Sequence, residues 1–464
     1  MKQSYNIGLG STHKNTFVIY ILCVFELILL SLLALEYYDY ILVFVGLILA
    51  AVFIYISFNH LFFLLLAFLL SILAGSIGSG KSEVSFTNIL FPILTVIFFI
   101  RLFLDFERRQ KQDFVLIKVL FVAFLIWSLF TSLNAVNKSL SLLYWRNYFA
   151  GIIVFSFALF VLNDYRKVKT FMIFLTVWGI ILALIELYVF STLGGFPAAF
   201  VKVIFRKNLL ATSWGKSNYL ATFYVLIIPV TIGTFLTLGS KKLKLFLSGS
   251  MLFLLTGLIL TLSRGGILSL VIAITILISK VLKPRTFIPL LLLITLLTTV
   301  FILNPFASIL FTGISNVGSS LSYYSRLNFY EDVWKTFLNN PIVGVGFGNL
   351  GYHSKFEFTK SVASAHNIVL GMLGETGIVG AILFIFLLCY ILFLVIKNYT
   401  KEKNERIKVL EWAFISGFIG VLIHSMMEPN FEGFQFAIVF WSTLAVFLRL
   451  SSFSDEYKSS LLRT

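Results

Sequence analysis

Charge is scarce in this chain. Of its 464 residues only 12% are Asp, Glu, Lys or Arg, and 20 acidic residues face 36 basic ones. So few charges cannot clothe a soluble domain of this size in a wetted surface. Cysteine is scarcer still: Cys23 and Cys389 both lie in apolar runs, which excludes a disulfide framework and zinc-ligand spacing. Tracts of biased low complexity are missing, and long polar segments are missing outside one loop. These absences exclude a disordered chain, a fibrous protein and a soluble enzyme on a single anchor. What is present is 59% apolar residues, 52 of the total being Phe, and a mean hydropathy of +0.98. The fold class expected is an all-α polytopic integral membrane protein, a single membrane domain over residues 1–464.

Apolar stretches of about 17–25 residues serve as spans. They fall near 17–36, 40–57, 60–75, 88–104, 114–135, 145–162, 170–193, 217–239, 245–262, 266–281, 286–303, 367–396, 409–427 and 433–451. The count is 12–14, because the second and third segments are close enough to form a re-entrant hairpin. The first span follows Lys2 and Lys14 without a small-residue cleavage site and reads as a retained anchor.

With the N-terminus inside, alternate loops hold 23 Lys and Arg on the inner side and 12 on the outer, and Lys118 lies within a span. Inner loops are short and dense in charge, as at Arg108-Arg109 and Lys241-Lys242. Both termini are therefore expected in the cytoplasm. Orientation in a membrane accounts for most of the +16 net charge, and no nucleic-acid partner is needed. The outer side carries the longer segments, 194–216 and a large loop at 304–366. Within that loop Leu321, Tyr324, Leu327, Tyr330, Trp334, Phe337 and Leu338 recur at helical spacing, which predicts an amphipathic helix over 320–339 that ends before Pro341. Such a helix either lies on the bilayer surface or covers a site.

Two nucleotide motifs occur in the wrong context. Gly75 to Ser82 fits the P-loop pattern, but it joins two membrane spans on the outer side instead of a buried strand and a helix. Gly346-Phe-Gly348-Asn-Leu-Gly351 fits a dinucleotide fingerprint without a βαβ unit around it. Both read as glycine turns, and no nucleotide is expected as a ligand.

The remaining polar groups gather at the outer boundary. Arg264 stands in Ser263-Arg264-Gly265-Gly266, where one span ends and another begins. An arginine there either snorkels to headgroups or binds an anion, and the glycines allow a close backbone or ligand approach at a helix N-terminus. Arg206, ahead of Trp214 to Tyr219 with its Asn218, and Arg326 on the amphipathic helix lie on the same side. Convergent guanidinium groups suit a diphosphate, which they bind bidentately. His366 and Asn367 open a helix with glycines at 371, 374, 377 and 380, a stripe for close helix packing or for a lipid chain. A histidine at a helix start is commonly a capping or surface residue; here the glycines and Glu375, an acid near or within the outer boundary, give it a functional setting. Glu375 read as structural would pair with one of the arginines. His13, His60, His353 and His424 read as loop or interfacial residues.

Taken in order, Ser263-Arg264-Gly265-Gly266, Ser325-Arg326, Asn340-Pro341 through Gly344, Gly346, Gly348 and Asn349, His366-Asn367, and Glu375-Thr-Gly377 through Gly380 resemble the signature of the O-antigen ligase and Wzy-type polymerase superfamily. The resemblance covers about residues 200–385 and is weak in the first 190. It implies a GT-C-like helical fold in the bacterial inner membrane, an active site on the periplasmic face, an undecaprenyl-diphosphate-linked glycan donor, and metal-independent inverting transfer without a cofactor. It also implies that Arg206 and Arg264 are the family's two arginines and His366 its loop histidine, with Arg206 matching poorly in its flanks.

The expected mechanism places the donor diphosphate on Arg206, Arg264 and Arg326. His366, or a relay through Glu375, deprotonates the acceptor hydroxyl, and Ser263, Gly265, Asn218 and Asn367 support the site. The acceptor is lipid A–core for a ligase and a lipid-linked glycan for a polymerase; membrane lipids surround both. A lipid or polysaccharide transporter or flippase would share the spans and charge bias, but it would be expected to show internal repeats and broken helices at the bilayer midplane. Neither a clear repeat nor a charged midplane cluster is legible in the sequence.

Overall fold

The computed structural model describes residues 52–72, 86–104, 114–195, 198–205, 207–211, 214–237, 240–281, 320–353 and 365–453. The chain divides into two compact units between Phe68 and Leu69. The first contains helical residues 52–59 and the start of α1 (Leu61–Ser71), with the rings of Phe53 and Phe63 6.1 Å apart. The second holds α2 (Phe86–Leu104), α3 (Val115–Leu133), α4 (Lys138–Val161), α5 (Tyr165–Thr192), α6 (Ala198–Phe205), α7 (Ser217–Thr237), α8 (Lys241–Leu260), α9 (Arg264–Val281), α10 (Ser320–Asn339), α11 (Ile368–Lys401), α12 (Glu405–Ser425) and α13 (Phe434–Leu450). Among the described residues there is no strand, and eight helices are long and apolar enough to cross a membrane. The protein is an all-α polytopic membrane protein. The expected spans at 17–36 and 286–303, and most of 40–57, lie outside the described residues, as does the P-loop-like segment 75–82.

Helix starts follow local chemistry. Asn137, Asp164, Ser240 and Asn404 each accept a hydrogen bond from a backbone N–H of the first turn of α4, α5, α8 and α12. α7 and α13 are buried over most of their length, α7 against α12 and α13 against α4. α8 lies outermost, and its Leu245, Leu252 and Ile259, spaced by seven, form an exposed stripe suited to lipid.

Without water to expel, apolar helices associate in lipid by close packing. Rings of Phe121 and Trp441 lie 4.5 Å apart, and those of Phe414 and Phe447 4.0 Å. A Cβ on Gly151 of α4 would stand 2.5 Å from Trp441 Cδ1, whereas one on Gly249 of α8 would meet nothing within 4 Å. Gly151→Val is expected to destabilise the purified protein by about 1–3 kcal/mol through overpacking. Gly249→Ala should leave the midpoint of thermal unfolding in detergent unchanged or slightly raised, and equal midpoints for the two variants would contradict this packing.

α11 is broken at Gly377, whose φ of 67° and ψ of −174° interrupt the helix. In lipid the freed backbone groups need partners, and the chain supplies them. Val345 N–H donates to Gly374 O at 3.0 Å, Gly346 N–H to Glu375 O at 2.8 Å, and Trp127 Nε1–H to Thr376 O at 2.8 Å; Ile378 N–H donates to Pro341 O at 2.8 Å. The sequence gives no expectation of a broken helix, because a glycine inside an apolar run signals close packing and a break equally well. The stretch after the break, 378–401, is about 36 Å long at 1.5 Å per residue and crosses a bilayer alone. The break therefore belongs to the end of α11 that carries His366.

The glycine-rich segment Gly344–Gly348 is a turn, with positive φ at Gly344, Gly346 and Gly348. A Cβ on Gly344 would stand 2.5 Å from the Glu375 carbonyl carbon. The glycines let this segment lie against the break, and the stripe on α11 is filled by it: a Cβ on Gly377 would come 2.1 Å from Ile342 O, and one on Gly374 2.7 Å from Leu350 Cδ2. Close packing uses the stripe at Gly374 and Gly377.

α10 has the bounds expected for it, but its packed face differs from the stripe read in the sequence. Phe329 and Val333 pack with Val345, Leu350 and Ala365, while Leu327, Trp334 and Leu338 of the stripe are exposed on the opposite side. The helix carries apolar residues on two faces, and the returning Gly344–Leu350 segment selects one of them.

Candidate functional site

The turn between α12 and α13, Met426 to Gly433, gathers the polar groups. Asn367 caps α11 by accepting from Val369 and Leu370 N–H, and its Nδ2 donates to Met426 O at 3.1 Å. This holds His366 one residue ahead of the cap, in a left-handed conformation with φ of 50°. Such a backbone is unusual for a residue with a Cβ and is found where surroundings fix it. Its ring Nδ1 lies 2.9 Å from Glu428 Oε2, with the ring 30% exposed and the carboxylate buried. Nδ1 is the donor if the carboxylate is ionised, which leaves Nε2 with its lone pair available. Among the described residues Nε2 has no hydrogen-bond partner.

The carboxylate beside His366 is thus Glu428, and the relay through Glu375 has no direct link to the histidine. Glu375 is buried by the break in α11, and its Oε1 accepts from Gly348 N–H at 2.9 Å. Its remaining oxygen, Oε2, is buried without a hydrogen-bond partner among the described residues. Glu428 went unnoticed in the sequence because it stands 62 residues from His366 in an unremarkable Met-Met-Glu-Pro turn.

His424 corrects the reading of it as a loop or interfacial residue: it is fully buried at the end of α12. Thr222 Oγ1 donates to Asn218 O at 2.8 Å and lies 2.8 Å from His424 Nδ1, so with its one proton engaged it accepts from Nδ1–H. Nε2, 3.2 Å from Ser263 Oγ, then accepts from that hydroxyl, which in turn accepts from Gly266 N–H at 3.1 Å. His424 is a buried pin between the starts of α7 and α9. Ser263 is the N-cap of α9, and Arg264, its first residue, is exposed.

The two glycines after Arg264 serve packing and not ligand approach. A Cβ on Gly265 would stand 3.0 Å from His424 Cδ2 and 3.2 Å from Met427 Sδ, and one on Gly266 2.9 Å from Ala221 Cβ. Asn147 of α4 closes the far end of the turn, donating from Nδ2 to Glu432 O at 2.7 Å. The structure therefore brings Ser263 and Gly265 against His424, with Asn218 linked to it through Thr222 and Arg264 following Ser263 in the chain, and sets His366 and Asn367 against Glu428 and Met426 of the turn just beyond His424. Arg206 lies outside the described residues, and for Arg326 the structure describes the helix but not the side chain.

As chemistry, this arrangement offers a partly exposed imidazole held by a buried carboxylate, next to a helix start headed by an arginine. Those are the parts needed to remove a proton from a hydroxyl and to hold an anionic leaving group. Comparison with known proteins bears on Ser263, Arg264, His366 and Asn367 of this arrangement. The family described as O-antigen ligase, Wzy_C, matches residues 249–385. The chain is also similar to the teichuronic acid biosynthesis protein TuaE of Bacillus subtilis (strain 168), 25% identical over 122 residues, which is 26% of this chain. That match spans about a quarter of the relative's length. A Wzy_C domain, of the O-antigen ligase and polymerase superfamily, is present in this chain over residues 249–385.

Proposed function

We propose that this chain is a metal-independent inverting glycosyltransferase of a bacterial inner membrane. It moves a glycan from undecaprenyl diphosphate to an acceptor hydroxyl on the periplasmic face, with lipid A–core as acceptor in the ligase reading. The observation that carries the proposal is the His366–Glu428 pair with its open Nε2, tied through one turn to the start of the Arg264 helix. The donor diphosphate rests on Arg264, with Arg206 and Arg326 completing the anion site. His366 takes the proton of the attacking hydroxyl while Glu428 holds the ring. Glu375 holds the Gly344–Gly348 turn through the N–H of Gly348. A flippase fits less well, since the break in α11 lies at the His366 end of a helix still long enough to span, and its backbone is sealed by protein instead of facing a path.

The polymerase alternative has one observation in its favour: the partial relative is named for teichuronic acid and not for an O antigen. Lipopolysaccharide profiling of a deletion strain decides between them. Core without any O-chain is the ligase result, core capped by a single repeat is the polymerase result, and an unchanged profile with loss of lipid translocation would overturn both.

The orientation is tested separately. Reporter fusions at residue 350 and at the C-terminus are expected on opposite sides of the membrane, 350 outside, given the 23-to-12 asymmetry of basic residues. Both fusions on one side would remove the periplasmic site.

A further inference from the structure

Arg146 belongs to none of the groups above. It stands in the third turn of α4, half-buried, with its guanidinium carbon 5.1 Å above the ring of Phe434, the first residue of α13. Its Nε is buried without a hydrogen-bond partner, and among the described residues no carboxylate pairs with it. Stacking on a ring weakly stabilises a cation but does not neutralise it. A permanent charge within a membrane span, here Lys138–Val161, is costly unless an anion meets it. One face of the guanidinium is closed by Phe434, so an anion must come to its outer edge.

An aromatic strip continues from Phe434. Phe434 lies 6.2 Å from Phe91 of α2, and Phe91 lies 6.4 Å from Phe149, both edge to face; Phe149 stacks on Trp145 at 5.4 Å. A cation toward one end of a membrane span beside an apolar aromatic strip matches an amphiphile with a phosphate at the end of a hydrocarbon chain.

Position selects which amphiphile. Along the segment 424–434, Gly265 beside Arg264 packs on His424 and Met427, His366 pairs with Glu428, and Arg146 covers Phe434. In chain order along this segment the contact of the histidine thus falls between those of two arginine-bearing helices. From Glu428 to Phe434 is six residues, at most about 21 Å of chain even when extended. Inverting displacement needs the nucleophile and the leaving group on opposite sides of the anomeric carbon. We infer that Arg146, framed by Phe434, Phe91 and Phe149, holds the phosphate of a lipid-borne acceptor, across His366 from the donor diphosphate at Arg264. This rests on the proposed glycan transfer and adds the acceptor's chemical class. In the step, the acceptor oxygen bonds to the anomeric carbon as the carbon–oxygen bond to the donor diphosphate breaks. The electron pair leaves with the diphosphate, and the hydroxyl proton goes to His366 Nε2.

The test counts undecaprenyl phosphate bound to the full chain by native mass spectrometry in a phosphate-free maltoside detergent. Wild type should bind two equivalents, and Arg146→Gln and Arg264→Gln one each. An excess of phosphatidylglycerol should not displace the equivalent that depends on Arg146. In transfer assays Arg146→Gln should raise the acceptor KM by at least about tenfold, the loss of one charged hydrogen-bonding partner, with donor KM and kcat within about twofold. Two equivalents bound by Arg146→Gln, or displacement of its equivalent by phosphatidylglycerol, would overturn the acceptor site and leave the donor assignment intact. Wild-type binding that Arg264→Gln does not reduce would overturn the donor assignment instead. Arg146→Lys, which keeps the charge, controls for folding: it should retain the thermal midpoint and bind the second equivalent more weakly. Full loss of kcat with unchanged acceptor KM in that variant would mark Arg146 as structural and end the inference.

Discussion

His366→Ala is expected to lower turnover of glycan transfer by about 10²–10⁴-fold, the usual cost of losing an acid–base group, while donor binding and the thermal midpoint stay nearly intact. The basis is geometric. Nδ1 is engaged by Glu428 Oε2 at 2.9 Å, the ring is partly open, and Nε2 has no partner among the described residues. A buried carboxylate on one nitrogen fixes the ring orientation and leaves the other as the site of proton uptake. The competing role is a positioning one, in which His366 only accepts a hydrogen bond from the acceptor and arginine activation of the leaving group sets the rate. His366→Gln separates these roles, because glutamine accepts a hydrogen bond but takes up no proton near neutral pH. Near wild-type turnover with an unaltered pH profile in that variant would remove the base assignment. Glu428→Gln keeps the ring and loses the charge behind it. Its kcat should fall by less than in His366→Ala, with donor KM unchanged. A Glu428→Gln enzyme as active as wild type would reduce the pair to a structural contact.

Arg264→Ala should cost about 1.5–3 kcal/mol in donor binding or transition-state stabilisation, the range for a hydrogen bond to a charged group. That corresponds to a loss of about 10–150-fold in kcat/KM. Arg264→Lys should restore only part of it, since a point charge cannot reproduce the planar bidentate fork. The residue heads α9, whose cap Ser263 is fixed by His424, itself fixed by Thr222. Disturbing the pin should therefore move the arginine. His424→Ala removes one partner from each of two buried hydroxyls, those of Thr222 and Ser263, and is expected to lower both the thermal midpoint and donor affinity, whereas Arg264→Ala should lower donor affinity alone. Wild-type kcat/KM in Arg264→Ala, or full rescue by lysine, would sink the diphosphate assignment.

Composition alone settles that this chain is a polytopic helical membrane protein. With 59% apolar and 12% charged residues there is no other solvent for its surface. Periodicity placed α10, and hydropathy placed the centres of the long helices described between α2 and α13, whereas the short α6 falls in the outer segment 194–216, for which no helix was expected. The identities of Arg264, His366 and Asn367 were legible because each lies at the edge of an apolar run, where a polar residue stands out. Tertiary structure decided the rest. Which carboxylate meets His366 depends on the turn 426–433 packing beneath the start of α11, and Glu428 and His366 are separated by a full helical hairpin. His424 looks like one more interfacial histidine until three helices bury it among hydroxyls. Gly377 reads as a packing glycine within a continuous helix, because a break shows only when another segment supplies its missing hydrogen bonds, as Pro341, Val345, Gly346 and Trp127 do here. Local patterns report each residue's surroundings along the chain. A hydrogen bond across 62 residues, or a glycine that exists to admit another backbone, is a property of the packed helices.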